Sequence, residues 1–235
     1  MGLVARQPQP GCGVSVTLKA LLFDMDGTLV DSDPLHIAVF VEFLGARGVT
    51  ITEADYMDRI HGRQNVEIFR HFLPDADPDE MDLAKEAAYR EKVGTSMEPM
   101  PGARDLIRRA RSHGLKTGAV TNGPRANLEA VLKATGLTDA FDHTGTANDV
   151  THGKPHPELY LAALDALSLA PDETLVFEDS PSGIASARAA GIDVIAIASS
   201  LSAKALVDLG ALFAISDFTD PALKRHLTAL EGAFA

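Results

Sequence analysis

The sequence predicts an open α/β fold, a parallel sheet flanked by helices and interrupted after its first strand by an all-helical insert. Three observations lead there. Short apolar runs alternate with amphipathic stretches along most of the chain. Between about residues 34 and 98 the pattern is helical, with no strand. The length, 235 residues, allows one large core or a core with a smaller companion.

Residues 1–17 precede the first apolar run. The first 16 contain two prolines and three glycines, lack a continuous apolar stretch, and carry Arg6 where a myristoylation signal needs Ser or Thr. A flexible tail is expected there. LKALLFD (18–24) is the first strand-like run, followed by LKTGAVTN (115–122), TLVFED (174–179) and IDVIAIA (192–198). Near-continuous apolar runs suit strands of a parallel sheet, whose two faces are both covered. Helices lie between them: Ala103, Leu106, Ile107 and Ala110 follow helical spacing, as do Leu128, Val131 and Leu132 after Pro124.

The insert carries one stripe at Ile37, Phe40, Val41 and Leu44 and another at Val66, Phe69 and Leu73. DPDEMDLAKEAAYREKV (77–93) reads as a charged surface helix, and the Pro99–Gly102 cluster closes the segment. The expected organisation is a core over 18–33 and 99–235, with a four-helix cap over 34–98. Linkers near Val30–Pro34 and Glu98–Gly102 join the two parts.

A formal charge of −12 excludes nonspecific binding to nucleic acid or anionic membrane, both of which need concentrated positive charge. The single cysteine, Cys12, forms no internal disulfide, and no apolar run approaches the roughly 20 residues that cross a bilayer. A cytoplasmic chain working as a monomer is expected.

In open parallel sheets ligands bind outside the carboxyl ends of the strands. Asp24 and Asp26 follow the first run, Thr121 and Asn122 the second, and Glu178 and Asp179 the third. Lys154 lies in HGKPHP (152–157), whose prolines exclude regular helix. Crowded carboxylates call for a hard cation, and Mg²⁺ prefers oxygen ligands. Carboxylates also attack phosphorus to give acyl phosphates, while a lysine, a hydroxyl, an amide and backbone N–H groups hold the oxygens. Asp26, two residues after Asp24, is near enough to protonate a leaving group and then activate water.

Each motif alone has a plainer explanation. Asp-x-Asp-Gly is usually a turn, and Glu178-Asp179-Ser180-Pro181 suits a helix start. A lone Lys154 would be a surface lysine. His152 and His156 are read as loop residues and not as a zinc pair, because Pro155 and Pro157 argue against the helix that would align them.

Taken together, FDMDGTLVDS (23–32), VTNG (120–123), the lysine of GKPHPELY (153–160) and FEDSPSGIASARAAG (177–191) resemble the four ordered motifs of the haloacid dehalogenase superfamily. The resemblance runs from Leu18 to about Leu212 and is closest to the β-phosphoglucomutase-like branch. It implies a Rossmann-like core with a helical cap. Asp24 would be the nucleophile and Asp26 the general acid/base, with Thr121, Asn122 and Lys154 on phosphate. The implied Mg²⁺ ligands are Asp24, the Asp26 carbonyl, Glu178 and Asp179. Asp26 points away from dehalogenation, since true dehalogenases lack that second acid. Around the cap glycine matching Gly62, sugar-phosphate mutases carry a lysine and an arginine. Here the corresponding residues are His61 and Asn65, with Arg63 beside the glycine. Asparagine lacks the bidentate charged grip of arginine, which favours a phosphatase. His61, Arg63 and Asn65 are the candidate substrate readers, and His36 is a further residue able to face the site. The expected activity is Mg²⁺-dependent hydrolysis of a small phosphorylated metabolite, such as a sugar or polyol phosphate. The alternatives are a phosphomutase and a non-catalytic phosphate-binding regulator.

Overall fold

The computed structural model describes residues 18–60 and 63–229. The expected tail (1–17, with Cys12) and His61 lie outside the described residues. Six parallel strands form one sheet: β1 (Ala20–Phe23), β2 (Lys116–Thr121), β3 (His143–Thr146), β4 (Thr174–Glu178), β5 (Asp193–Ile197) and β6 (Phe213–Ile215). Their order is β3-β2-β1-β4-β5-β6, so the chain reverses its direction of travel between β1 and β4. The crevice that opens at such a switch point is where ligands bind in folds of this kind. The predicted α/β class therefore holds.

The sheet is buried on both faces by alternating side chains. Leu21, Phe23, Leu175 and Phe177 pack on one side with α5 (Ala103–Ser112), α6 (Arg125–Ala134) and α10 (Pro221–Ala229). Leu22, Val120, Val176 and Val194 pack on the other with α7 (Glu158–Leu167), α8 (Pro181–Ala189) and α9 (Ala203–Asp208). The helical patterns at 103–110 and 128–132 place their apolar residues in this core, as expected.

Two strands escaped sequence reasoning. β3 is His-Thr-Gly-Thr and β6 is Phe-Ala-Ile, both short and at the sheet edges. An edge strand with a polar or truncated sequence has no continuous apolar run to reveal it.

Between β1 and α5 lie α1 (Asp33–Gly45), α2 (Glu53–Arg59), α3 (Asn65–Phe72) and α4 (Pro78–Val93). Thr52 closes a capping box on α2, and the Asp77 carboxylate accepts from Asp79 N and Glu80 N at the start of α4. These helices share an apolar cluster of their own, centred on Phe40, Phe43, Leu44, Ile51, Tyr56, Ile68 and Phe69. The α1 stripe differs from expectation: Val41 is 38% exposed while Val39 and Phe43 are buried. Nor is α4 a plain surface helix, since it buries Lys85, Glu86, Tyr89 and Val93. The chain enters and leaves this insert side by side, with Met100 N donating to Leu29 O at 2.7 Å. Among the described residues no helix is long and apolar enough to cross a membrane.

Candidate active site

Asp24 follows β1 and extends its ladder, its N–H donating to Phe177 O on β4 at 3.0 Å. This fixes the backbone and directs the chain into the switch-point crevice. A tight loop comes next, with Gly27 N donating to Val30 O at 2.8 Å and Val30 N to Met25 O at 3.1 Å. Gly27 sits at φ +73°, and a Cβ there would collide with the Asp179 carboxylate. Glycine is therefore required both by the backbone and by the close approach of the β4 loop.

Lys154 links the two sides of the crevice. Its Nζ donates to Asp24 Oδ1 at 2.5 Å, Glu178 Oε1 at 2.6 Å and Val120 O at 2.8 Å. Asn122 holds the lysine's backbone at both ends: its Oδ1 accepts from Lys154 N at 2.7 Å and its Nδ2 donates to Lys154 O at 3.0 Å. The Asn122 side chain thus positions Lys154. Thr121 is buried at the end of β2, and its Oγ1 accepts from Gly123 N at 2.9 Å.

Glu178 is fully buried. Tyr160 OH donates to its Oε1 at 3.0 Å, and its Oε2 accepts from Ser180 Oγ at 3.0 Å and Asp179 N at 3.2 Å. Gly183 in α8 packs so closely that a Cβ would strike this carboxylate. Asp179 faces Thr28 Oγ1 at 3.4 Å and Ser199 Oγ at 3.5 Å.

One lysine therefore pairs with two buried carboxylates, and a third, Asp179, lies beside them. Burial pushes the Asp24 carboxyl up to about 8; the Lys154 charge pulls it down, while Glu178 and Asp26 add to the rise. Asp179 is pushed well above the usual carboxylate range by burial, then by Asp24 and Glu178. Burial opposes the charge on Lys154, but Asp24 and Glu178 outweigh it and hold the lysine well above its ordinary value. Lys154 is accordingly a fixed cation. The remaining negative charge is what a divalent ion would neutralise, and Asp24, Glu178 and Asp179 offer oxygens within 4.8 Å of one another. An all-oxygen, carboxylate-rich donor set fits a hard cation.

The Asp26 carboxylate stands outside that group. Its Oδ1 accepts from Ser32 Oγ at 2.6 Å and Tyr89 OH at 3.2 Å, and lies 3.4 Å from His36 Nε2. Burial raises its pKa, but the His36 contact, Ser32 and the Lys85 charge prevail and keep it below the usual carboxylate range. His36 stacks on Tyr89 with ring centroids 4.5 Å apart, so His36 does face the site.

Of the cap candidates, Asn65 donates to Asp82 Oδ1 at 2.7 Å and Glu86 Oε1 at 2.5 Å. Arg63 is exposed at the mouth and donates to Asp58 O at 3.3 Å. The cleft between Asp24 and these residues holds about 250 Å³. A cavity of about 460 Å³, lined by Arg104, Arg108 and Arg111, lies instead beside the loop that leads into β3. It is at the amino-terminal end of the strands and holds none of the converging carboxylates.

Sequence reasoning missed Ser32, Lys85, Tyr89 and Tyr160. Lys85 and Tyr89 are one helical turn apart in α4, a spacing that places both on one face. Buried Lys85 pairs with Glu86 at 2.8 Å, and Glu86 also accepts from Asn127 of α6. Nothing in a charged, alanine-bearing stretch separates this buried face from a solvated one.

Fold and crevice together define an α/β enzyme with a buried carboxylate–lysine site at the switch point of a parallel sheet. The model of the haloacid dehalogenase-like hydrolases matches residues 18–191, and the chain belongs to that family. It is 36% identical over 191 residues to protein CbbY of Rhodobacter capsulatus, covering 76% of this chain and 84% of that one. It is also 36% identical over 183 residues to hexitol phosphatase A of Escherichia coli (strain K12), covering 76% and 82%. Among solved structures, a HAD hydrolase of family IA, variant 3, from Entamoeba histolytica HM-1:IMSS matches with a TM-score of 0.81 at 29% identity. That match covers 91% of this chain and 100% of the other.

Proposed function

We propose that the chain is a Mg²⁺-dependent phosphatase acting on a small sugar or polyol phosphate through an aspartyl-phosphate on Asp24. The observation that carries this is the buried Asp24–Lys154–Glu178 contact beside Asp179, where a single lysine stands among three carboxylates and pairs with two. Asp24, Glu178 and Asp179, with the Asp26 carbonyl, would hold the cation. Bound there, Mg²⁺ supplies positive charge that relieves the carboxylates and lets a phosphate dianion approach Asp24.

A carboxylate oxygen of Asp24 attacks phosphorus, and the bond from phosphorus to the substrate oxygen breaks. That oxygen takes its proton from Asp26. Water then attacks the acyl phosphate, gives a proton back to Asp26 and releases orthophosphate, regenerating Asp24. Lys154 stays charged throughout and balances the transferred oxygens. Thr121 and the N–H groups leading into α6 hold the remainder. In the observed arrangement Asp26 is held ionised by His36, Ser32 and the Lys85 charge, with Tyr89 OH also donating to it. To act as an acid it must leave them, turn toward Asp24 and take up a proton.

A hydrolase is favoured over a mutase because both hydrogens of the Asn65 amide can be accounted for by Asp82 and Glu86, leaving no charged grip for a second phosphate. The hexitol phosphatase relative supports a polyol or sugar phosphate. Every group in the scheme comes from one chain, which suits a monomer. The test is phosphate release from a panel of sugar and polyol phosphates, with and without Mg²⁺, by wild type and Asp24→Asn. Magnesium-dependent release that is lost in the variant is expected. Steady release by Asp24→Asn would overturn the nucleophile.

A further inference from the structure

A second set of metal-binding side chains lies on the loop that carries Lys154. His152, His156 and Glu158 each present a ligand atom, and these atoms lie within 4.8 Å of one another. Glu158 Oε2 is 3.0 Å from His152 Nδ1 and 3.7 Å from His156 Nδ1. Bonds of about 2.1 Å at a tetrahedral zinc place neighbouring ligand atoms about 3.4 Å apart, between those two distances.

The convergence is built by the backbone. Glu158 Oε1 accepts from Thr151 N at 2.9 Å and its Oε2 from His152 N at 3.0 Å, which curls the loop around the carboxylate. His156 Nδ1 accepts from Glu158 N at 3.3 Å, so it is a proton-free acceptor, and a metal would displace this long bond to use its lone pair. His152 Nδ1 faces a carboxylate, which only accepts; it is therefore a donor, and a metal would take the place of its proton. The His152 and His156 side chains are 62% and 53% exposed, leaving room for water as a further ligand. Two histidines four apart are usually aligned by a helix; here a turn brings them together, against the expectation that Pro155 and Pro157 keep them from pairing.

We propose that His152, His156 and Glu158 bind a divalent transition-metal ion of the zinc class, at a site distinct from the carboxylate crevice. Two imidazoles and one carboxylate select Zn²⁺ and its neighbours, whereas the all-oxygen cluster selects a hard ion. Lys154 lies midway between the two histidines in sequence, so an ion here grips the outer side of the loop whose inner side reaches Asp24.

The test is calorimetric titration of Zn²⁺ into the full chain in excess Mg²⁺, alongside His152→Gln and His156→Gln. Thermal melts check that these exposed substitutions leave the fold intact. One Zn²⁺ per wild-type chain is expected, with binding weakened at least tenfold in each variant. Undiminished binding in both folded variants would overturn the proposal, as would a wild-type Kd weaker than about 1 mM. Co²⁺ gives a second readout. A visible absorption band from nitrogen-ligated Co²⁺ is expected in wild type, and its persistence in both variants would also overturn the assignment.

Discussion

The crevice and the cap each bury a lysine among acids, but they balance charge differently. In the crevice Lys154 meets Asp24 and Glu178 with Asp179 beside them, and two of those carboxyls are pushed upward. In the cap Lys85 meets Glu86, and Asn65 and Asn127 complete its hydrogen bonds. There the Glu86 carboxyl falls below its usual range: burial works against its charge, and Lys85 and the two amides overcome it. One cluster is short of positive charge and the other is complete. A cluster left short of positive charge has room for a cation, which is what the proposed chemistry needs, whereas a complete one has no such deficit.

The sharpest way to break the comparison is Asp24→Asn, which should cut turnover by about 10⁴-fold or more while the chain still melts cooperatively. A folded variant with near-normal phosphate release would place the chemistry elsewhere. Lys154→Met should cost about 3–5 kcal/mol, because it leaves buried carboxylates unpaired. A melting temperature within a degree of wild type would show that the crevice does not depend on this cation.

Third is the response to Mg²⁺. A carboxyl whose pKa is raised by folding binds its proton more tightly folded than unfolded, so metal-free stability falls as pH rises from 3.8 toward about 8. Magnesium held at Asp24, as proposed, would replace that proton. The gain in melting temperature should therefore be larger near pH 8 than near pH 6, reaching about 5–10 °C at about 100 times Kd. Equal gains at both pH values would place the ion away from Asp24. Glu86→Gln should cost less, about 1–3 kcal/mol, since the one amide oxygen can still accept from Lys85 and Asn65 and only the Asn127 bond is lost. A loss as large as that of Lys154→Met would erase the contrast. Smallest is Ser32→Ala, expected to raise kcat by about threefold with KM little changed, because Asp26 then leaves its resting position with one bond fewer to break; a fall in kcat would show that Ser32 holds Asp26 where it works.

How much the sequence discloses follows the same division. Asp24, Glu178 and Asp179 could be read because they end apolar strands buried on both faces, and polar residues there have few structural excuses. The central strands stand out for the same reason, while β3 and β6 do not, since edge strands need no apolar run. The cap face was illegible because Lys85, Glu86 and Tyr89 look the same in sequence whether solvated or paired in the interior. Asn122 could be singled out, but its hold on the Lys154 backbone depends on two loops 32 residues apart meeting in space.

The bond from Met100 to Leu29 has a consequence for ancestry. Because the chain leaves the sheet and returns at neighbouring points, the intervening segment can be lengthened, shortened or exchanged without rethreading a strand. Closing a longer excursion costs only about 0.6 kcal/mol per doubling of its length. The helical part can therefore change in length without disturbing the sheet or the carboxylates at its strand ends.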